Sequence, residues 1–379
     1  VREGEMSESW TQTNGVADSV VATLAQAGYA RVEPAILQPA SVFLDLAGED
    51  IRTRLFLVAE TGGAELCLRP EYTIPVVRDY LASPQAGREA AFSYCGKVFR
   101  QRPGRDGEFV QAGAESFGRA DAGAADAEIF ALTLEALESA GLPAADLRVG
   151  DAGLVSAFLD ALKLPAPQLR RLRRGLMRGE TTARIFEAAE TPNGVDHSGV
   201  LAALEGVDRK GARALVEDLL SIAGIRAVGG RSAGEIAERF LEQSAARARP
   251  PMPQETRALI DRFLAVKGDP DSVCAELRGL AREANVDLDA ALDAFDQRTG
   301  FLAARGVDVS AIDCAAAFHR NLDYYTGFVF EARDPARPDA QPVAGGGRYD
   351  GLLKTLGASD DIPAVGVSIW IERLDARQG

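Results

Sequence analysis

The sequence predicts an α+β protein in which one sheet domain is interrupted by a helical excursion. Three observations predict it. Between residues 29 and 118, short alternating apolar runs are broken by Gly and Pro, which is strand character. From 155 to about 305 the chain is rich in Ala, Leu, Arg and Glu at helical spacing, with breaks at Pro165, Pro192, Gly229–Gly230, Pro250–Pro251 and Pro270. Strand character then resumes at 323–333 and 363–370. Residues 9–154 and 306–379 therefore form one core, and 155–305 form a helical insertion.

Residues 1–8 read as a disordered tail. The stretch VREGEMSESW is acidic and polar, lacks an apolar signal core and offers Met6 as a start. A helix over 9–27 follows from Val16, Val20, Leu24 and Ala27 at helical spacing, with Gly28 as its stop. LFLVAE at 55–60, LCLR at 66–69, FSYCGKVFR at 92–100 and FVQAGAESFG at 109–118 read as strands. DAEIFALTLEALESAG at 126–141 reads as an amphipathic helix ended by Gly141, and LRVGD at 147–151 as another strand. Inside the insertion, Leu169, Leu172 and Leu176 form a narrow apolar stripe. Arg170, Arg171, Arg173, Arg174 and Arg178 cover the rest of that helix, as a solvated face or a docking surface for an acidic partner.

Composition bounds the function. The 379 residues carry a net charge of −14, which leans against a nucleic-acid backbone as partner because phosphate binding favours a basic stripe. No run approaches the length of apolar chain that a membrane helix needs. Cys67, Cys95, Cys274 and Cys314 form no CxxC pair, which suits a reducing cytoplasm. The two histidines, His197 and His319, have no metal-ligand spacing, so neither a metal nor a catalytic histidine is expected.

FVQAGAESFG carries the most chemistry. Alternate strand residues share a face, so Gln111, Gly113 and Glu115 point one way, and the glycine lets a ligand approach the sheet. A solvent-facing polar strand accounts for the same pattern. In RPEYT at 69–73, Pro70 suits a first helical position and Glu71 a first turn; alternatively Glu71 and Thr73 receive a ligand ammonium. Arg100 and Arg320 suit a carboxylate or phosphate, or a surface ion pair. Tyr324 and Tyr325 are adjacent, so strand geometry admits at most one to a pocket unless the chain bends. AGGGRYDG at 344–351 fits no phosphate-loop spacing and reads as a glycine-rich turn against a neighbouring strand.

In combination these segments resemble histidyl-tRNA synthetase. LCLRPEYTIPVVRDYL is similar to the RPEGT segment of that family. FSYCGKVFR with FVQAGAESFG is similar to its motif 2, and IPAVGVSIWIERL to its motif 3. HRNLDYYTGFVFE and AGGGRYDGLLKTLG are similar to its two histidine-specific motifs. The resemblance covers about 9–150 and 300–375, with the motifs in the family's order. It implies a class II aminoacyl-tRNA synthetase-like fold, a mainly antiparallel sheet flanked by helices. It also implies a histidine pocket in which Glu71, Thr73 and Gln111 hold the α-amino group, Glu115 with Tyr324 or Tyr325 the imidazole, and Arg320 the carboxylate. Arg100 and Arg373 match the nucleotide-binding arginines, as a vestige.

The departures from the synthetase pattern narrow the family. The loop RQRPGRDGE at 100–108 is shorter than the synthetase loop, and Gly107 stands where its later arginine would be. Asn321 replaces the glycine of RGLDYY, and Ala35 stands at the motif 1 proline. Motif 3 ends near Leu374 and the sequence ends at Gly379, so no anticodon-binding domain is expected. These features resemble the regulatory subunits of short-form ATP phosphoribosyltransferase. That resemblance implies a cytoplasmic, non-catalytic protein without a cofactor that takes histidine as its ligand. It implies a homodimer through the class II core, paired with a short catalytic subunit in a hetero-octamer and binding no tRNA. The alternatives are a synthetase-like enzyme that activates histidine and a free-standing histidine sensor.

Overall fold

The computed structural model describes residues 3–44, 53–59, 65–177, 179–185, 214, 218, 227–228, 231–232, 252–320 and 324–375. Helix α1 (Glu3–Gln26) begins within the stretch read as a tail. It buries Val16, Val20 and Leu24 against the rest of the core, and Gly28 ends it at φ +88. A left-handed residue after a helix carries no steric cost in glycine.

The strands are β1 (Ala30–Arg31), β2 (Leu37–Pro39), β3 (Leu57–Ala59), β4 (Glu65–Leu68), β5 (Ala90–Phe99), β6 (Glu108–Phe117), β7 (Asp146–Asp151), β8 (Ala227–Val228), β9 (Arg231–Ser232), β10 (Lys267–Gly268), β11 (Asp313–Ala315), β12 (Phe328–Arg333), β13 (Ala344–Arg348) and β14 (Ala364–Trp370). Among the described residues, nine of them form one sheet in the order β1-β5-β6-β14-β13-β12-β7-β11-β10. The neighbours are antiparallel except β1/β5 and β7/β11. A small sheet, β2-β4-β3, stands apart from it.

Two sequence expectations are corrected here. AGGGRYDG is not a turn, because its glycines form β13 inside the sheet, between β12 and β14. A Cβ at Gly346 would lie 2.1 Å from the Gly366 carbonyl oxygen, so only glycine lets β14 approach this closely. Strand β12 starts at Phe328, which leaves Tyr324 and Tyr325 outside it and free of strand alternation.

The helices beyond α1 are α2 (Thr73–Leu81), α3 (Ala122–Ser139), α4 (Ala152–Ala161), α5 (Ala166–Met177), α6 (Gln254–Ala265), α7 (Pro270–Glu283), α8 (Asp289–Ala304), α9 (Asp350–Thr355) and α10 (Ile371–Asp375). The chain divides into two units, Val1–Phe158 with Phe263–Gly379, and Leu159–Arg262. Helices α7 and α8 fall in the first unit, although their composition places them in the insertion. The reason is tertiary. Helix α8 packs on α3, burying Leu292, Phe295 and Leu302, and helical periodicity is the same on either side of such a boundary.

The first unit also buries a charge network. Arg348 bonds Asp126 at 2.7 Å and Asp350 at 2.9 Å, and Arg298 bonds Asp151 at 2.6 Å and lies 3.7 Å from Asp126. It ties β13 to α3, α8 and the end of β7.

In the second unit α5 turns Leu172 fully inward, with Leu169 and Leu176 half-buried, while Arg170 and Arg174 are exposed. Arg173 pairs with Asp160 at 2.6 Å. Arg178 and His197 lie outside the described residues. No described helix is long and apolar enough to cross a membrane.

Candidate functional site

Register builds the site. Gln111, Gly113 and Glu115 of β6 lie opposite Trp370, Ser368 and Gly366 of β14, and Gly113 lies opposite Tyr94 of β5. Cross-strand partners share a face, so these side chains converge above one patch of sheet. Glycines clear that patch. A Cβ at Gly366 would lie 1.7 Å from Glu115 Oε2, one at Gly113 2.4 Å from the Tyr94 hydroxyl, and one at Gly345 1.8 Å from Arg320 Nη1. The sequence reading assigned this role to Gly113 alone.

Glu115 sits at the floor and is 1 % exposed. Its Oε1 accepts the Thr73 hydroxyl at 2.8 Å and the Tyr94 hydroxyl at 3.3 Å, and its Oε2 accepts the Tyr349 hydroxyl. Burial pushes the carboxyl up to about 8, with the hydroxyl donors pulling the other way. Tyr94 and Tyr349 were not among the sequence candidates. Tyr349 lies in AGGGRYDG and Tyr94 in FSYCGKVFR, segments read for backbone and arginine alone. Only the pairing of β5, β6 and β14 brings Tyr94 to Glu115.

Glu71 caps a helix. Its Oε2 accepts the Thr73 amide at 2.8 Å and its Oε1 the Ile74 amide at 2.9 Å. Helix α2 therefore begins at Thr73 and not at Pro70, and the carboxylate bonds amides that the first turn would otherwise leave free. Burial raises the Glu71 pKa, and the nearby Arg100 opposes that shift. Each carboxylate oxygen keeps a second lone pair for a further donor.

Tyr324 and Tyr325 both turn into the aromatic cluster beside Glu115, which strand geometry allows only where the chain bends. Their ring centroids are 5.0 Å apart, and Tyr324 meets Tyr349 edge-on at 5.7 Å. Because they precede β12 in a turn, strand alternation does not separate them. Arg320 reaches the sheet at Gly345, where its Nη1 donates to the Phe330 carbonyl at 3.2 Å.

Three polar atoms in this region are buried without a hydrogen-bond partner among the described residues: Gln111 Oε1, Arg320 Nε and Trp370 Nε1. Buried polar groups are mostly paired, so these three atoms have bonding capacity left for a further group.

The arginines matched to nucleotide binding are committed elsewhere. Arg100 Nε donates to the Pro70 carbonyl at 2.6 Å. Arg373 donates to Gln341 Oε1 at 2.7 Å and to the Pro342 carbonyl, and stacks 4.3 Å over the Trp370 ring. Burial lowers its pKa to about 10. Arg102 is pinned to Glu372 at 2.6 Å and covers the face of Phe109 at 4.1 Å.

Among the described residues, no group of three or more His, Cys, Asp or Glu side chains is arranged to hold a metal. The site offers carboxylates for N–H donors, an amide oxygen for an ammonium and a guanidinium for a carboxylate. That donor set matches a small zwitterion with one further N–H.

A profile of the histidyl-tRNA synthetase family matches residues 5–228 and 211–374. An ATP phosphoribosyltransferase regulatory subunit of Mesorhizobium japonicum is 43% identical over 350 residues, covering 91% of this chain and 92% of its own. One of Brucella anthropi is 38% identical over 375 residues, covering 97% of this chain and 98% of its own. In fold, a Bacillus halodurans protein described as an ATP phosphoribosyltransferase regulatory subunit/histidyl-tRNA synthetase superposes with a TM-score of 0.70. It is 22% identical and covers 98% of this chain and 80% of its own.

Proposed function

The chain belongs to the ATP phosphoribosyltransferase regulatory subunits, a histidyl-tRNA synthetase-like family, and on that premise we propose that it binds histidine and transmits its presence to a catalytic partner. The family's name implies partnership with the ATP phosphoribosyltransferase catalytic subunit, and with it a regulatory place in histidine biosynthesis. The partner is the short catalytic form, in a hetero-octamer built on homodimers of the class II core. The protein acts in the cytoplasm, performs no catalysis of its own and handles no tRNA.

One observation carries the histidine reading. A glycine-cleared patch of sheet sets Glu115 among three hydroxyls, beside Gln111 Oε1 and Arg320 Nε, which have no partner among the described residues. In the bound state Glu71, Thr73 and Gln111 meet the α-amino group. Glu115 with Tyr324 and Tyr325 meets the imidazole, and Arg320 the carboxylate. Charge-assisted bonds of about 1.5–3 kcal/mol each, less ordering costs, are compatible with micromolar affinity near about −8 kcal/mol. A coupling of about 1–3 kcal/mol to the partner is enough to regulate it. Arg100 and Arg373 are a vestige of nucleotide binding, a reading supported by the bonds that turn Arg100 Nε to the Pro70 carbonyl and Arg373 to Gln341 and Pro342.

Calorimetry with histidine, on the isolated chain and on its complex with the catalytic subunit, tests the proposal. Saturable heat is expected. No heat from either at millimolar histidine overturns it.

A further inference from the structure

Trp370 ends β14 directly opposite Gln111, so the two side chains share the site face. It is 7% exposed, and its indole Nε1 is buried without a partner among the described residues. An indole N–H is a donor only, and buried tryptophans nearly always satisfy it. Two guanidinium groups flank the Trp370 ring, and Glu331 lies 3.9 Å from Arg320 Nη1. The Arg320 guanidinium lies 5.8 Å from the ring centroid and that of Arg373 4.3 Å away. Among the described residues, Arg320 Nε is a second buried donor without a partner, and Gln111 Oε1 is an acceptor without one.

Two donors close to one ring, flanked by the guanidinium groups of Arg320 and Arg373, suit an anionic acceptor. The idle amide oxygen across the strand awaits a cation. From this pairing we infer that Trp370 is a ligand-binding residue, whose indole N–H donates to the carboxylate of the bound amino acid alongside Arg320. The inference rests on the histidine reading above and adds a specificity element to it. The corner discriminates for the carboxylate of an α-amino acid and against amines that share its imidazole and ammonium. Trp370 supplies the donor without adding a charge, and Arg373 stacks on its ring.

The test uses the full chain and two probes, histidine and histamine, which keeps the imidazole and amine but lacks the carboxylate. Trp370→Phe preserves the apolar bulk and removes the N–H. Histidine affinity should fall about tenfold or more, the scale of one hydrogen bond to a charged group, while histamine affinity stays unchanged. An equal fall for both probes, or no fall for either, overturns the inference. A wild-type chain that binds no histidine overturns the pocket reading itself, and this inference with it. A second measurement needs no substitution at Trp370. The chain has two tryptophans, Trp10 and Trp370, so Trp10→Phe assigns the Trp370 indole N–H resonance. That resonance should move downfield with histidine and stay in place with histamine. Identical responses to the two probes reject the contact.

Discussion

Glu115 accepts the hydroxyl of Thr73 at 2.8 Å, a bond between residues 42 positions apart that joins the first turn of α2 to the C-terminal part of β6. Glu71 caps the same turn through the amide of Thr73. The two carboxylates are thus held by neighbouring atoms of one residue, and any change in one is felt at the other.

Removing Glu115 should disable the ligand response. Glu115→Ala is expected to weaken histidine inhibition of the phosphoribosyltransferase complex by about tenfold or more, the scale of one charge-assisted hydrogen bond. Inhibition assays with the reconstituted complex measure it. Unchanged inhibition removes Glu115 from the site.

The same carboxyl makes stability depend on pH. Its folded pKa, pushed up to about 8 by burial, lies above the unfolded value of about 4.5. Between those values the folded state holds the proton more tightly, so this group's contribution to stability falls as pH rises through that window and levels off above it. Glu115→Gln lacks the titration. The melting temperature of wild type relative to Glu115→Gln should therefore decline from pH 5 to pH 8 in thermal scans. A constant difference would show that Glu115 does not titrate in that window.

Gly345 tests the glycine floor. An alanine there would place its Cβ 1.8 Å from Arg320 Nη1, at the movable end of a long side chain. Gly345→Ala should fold, with the guanidinium displaced and histidine affinity reduced by about tenfold. Calorimetry beside a thermal melt separates this outcome from general destabilisation.

Asp126→Asn probes the buried charge network. Asp126 is 2% exposed and faces Arg348 and Arg298, so its loss leaves two buried guanidinium groups undercompensated. A destabilisation of about 3–5 kcal/mol is expected in urea unfolding. A change below about 1 kcal/mol would place the network at the level of surface ion pairs.

Much of the fold was legible because its signals are local. The periodicity of Val16, Val20 and Leu24 marks α1, and alternation in FVQAGAESFG marks β6 and the shared face of Gln111 and Glu115. The motif order is likewise a property of the chain alone. Other features gave no local signal. Tyr94, Tyr349 and Trp370 are ordinary apolar-face residues by composition, and only strand register, with the turn from β13 into α9 for Tyr349, makes them neighbours of Glu115 and Gln111. The glycines of AGGGRYDG read as a turn because glycine is commonest there. The close packing that makes them a strand involves Gly366, twenty residues after Gly346.

The sequence by itself determined which chemical groups the protein carries, which family pattern orders them, and which segments repeat with a period of two or of about 3.6 residues. Those are properties of neighbours along the chain. Tertiary structure decided which groups satisfy one another: that Glu71 caps α2, that Glu115 is gripped by three hydroxyls, that both tyrosines turn inward, and that α7 and α8 belong with the sheet. Hydrogen bonds and desolvation act over a few ångströms of space, and residues far apart in sequence come within that range only when the sheet has set their register.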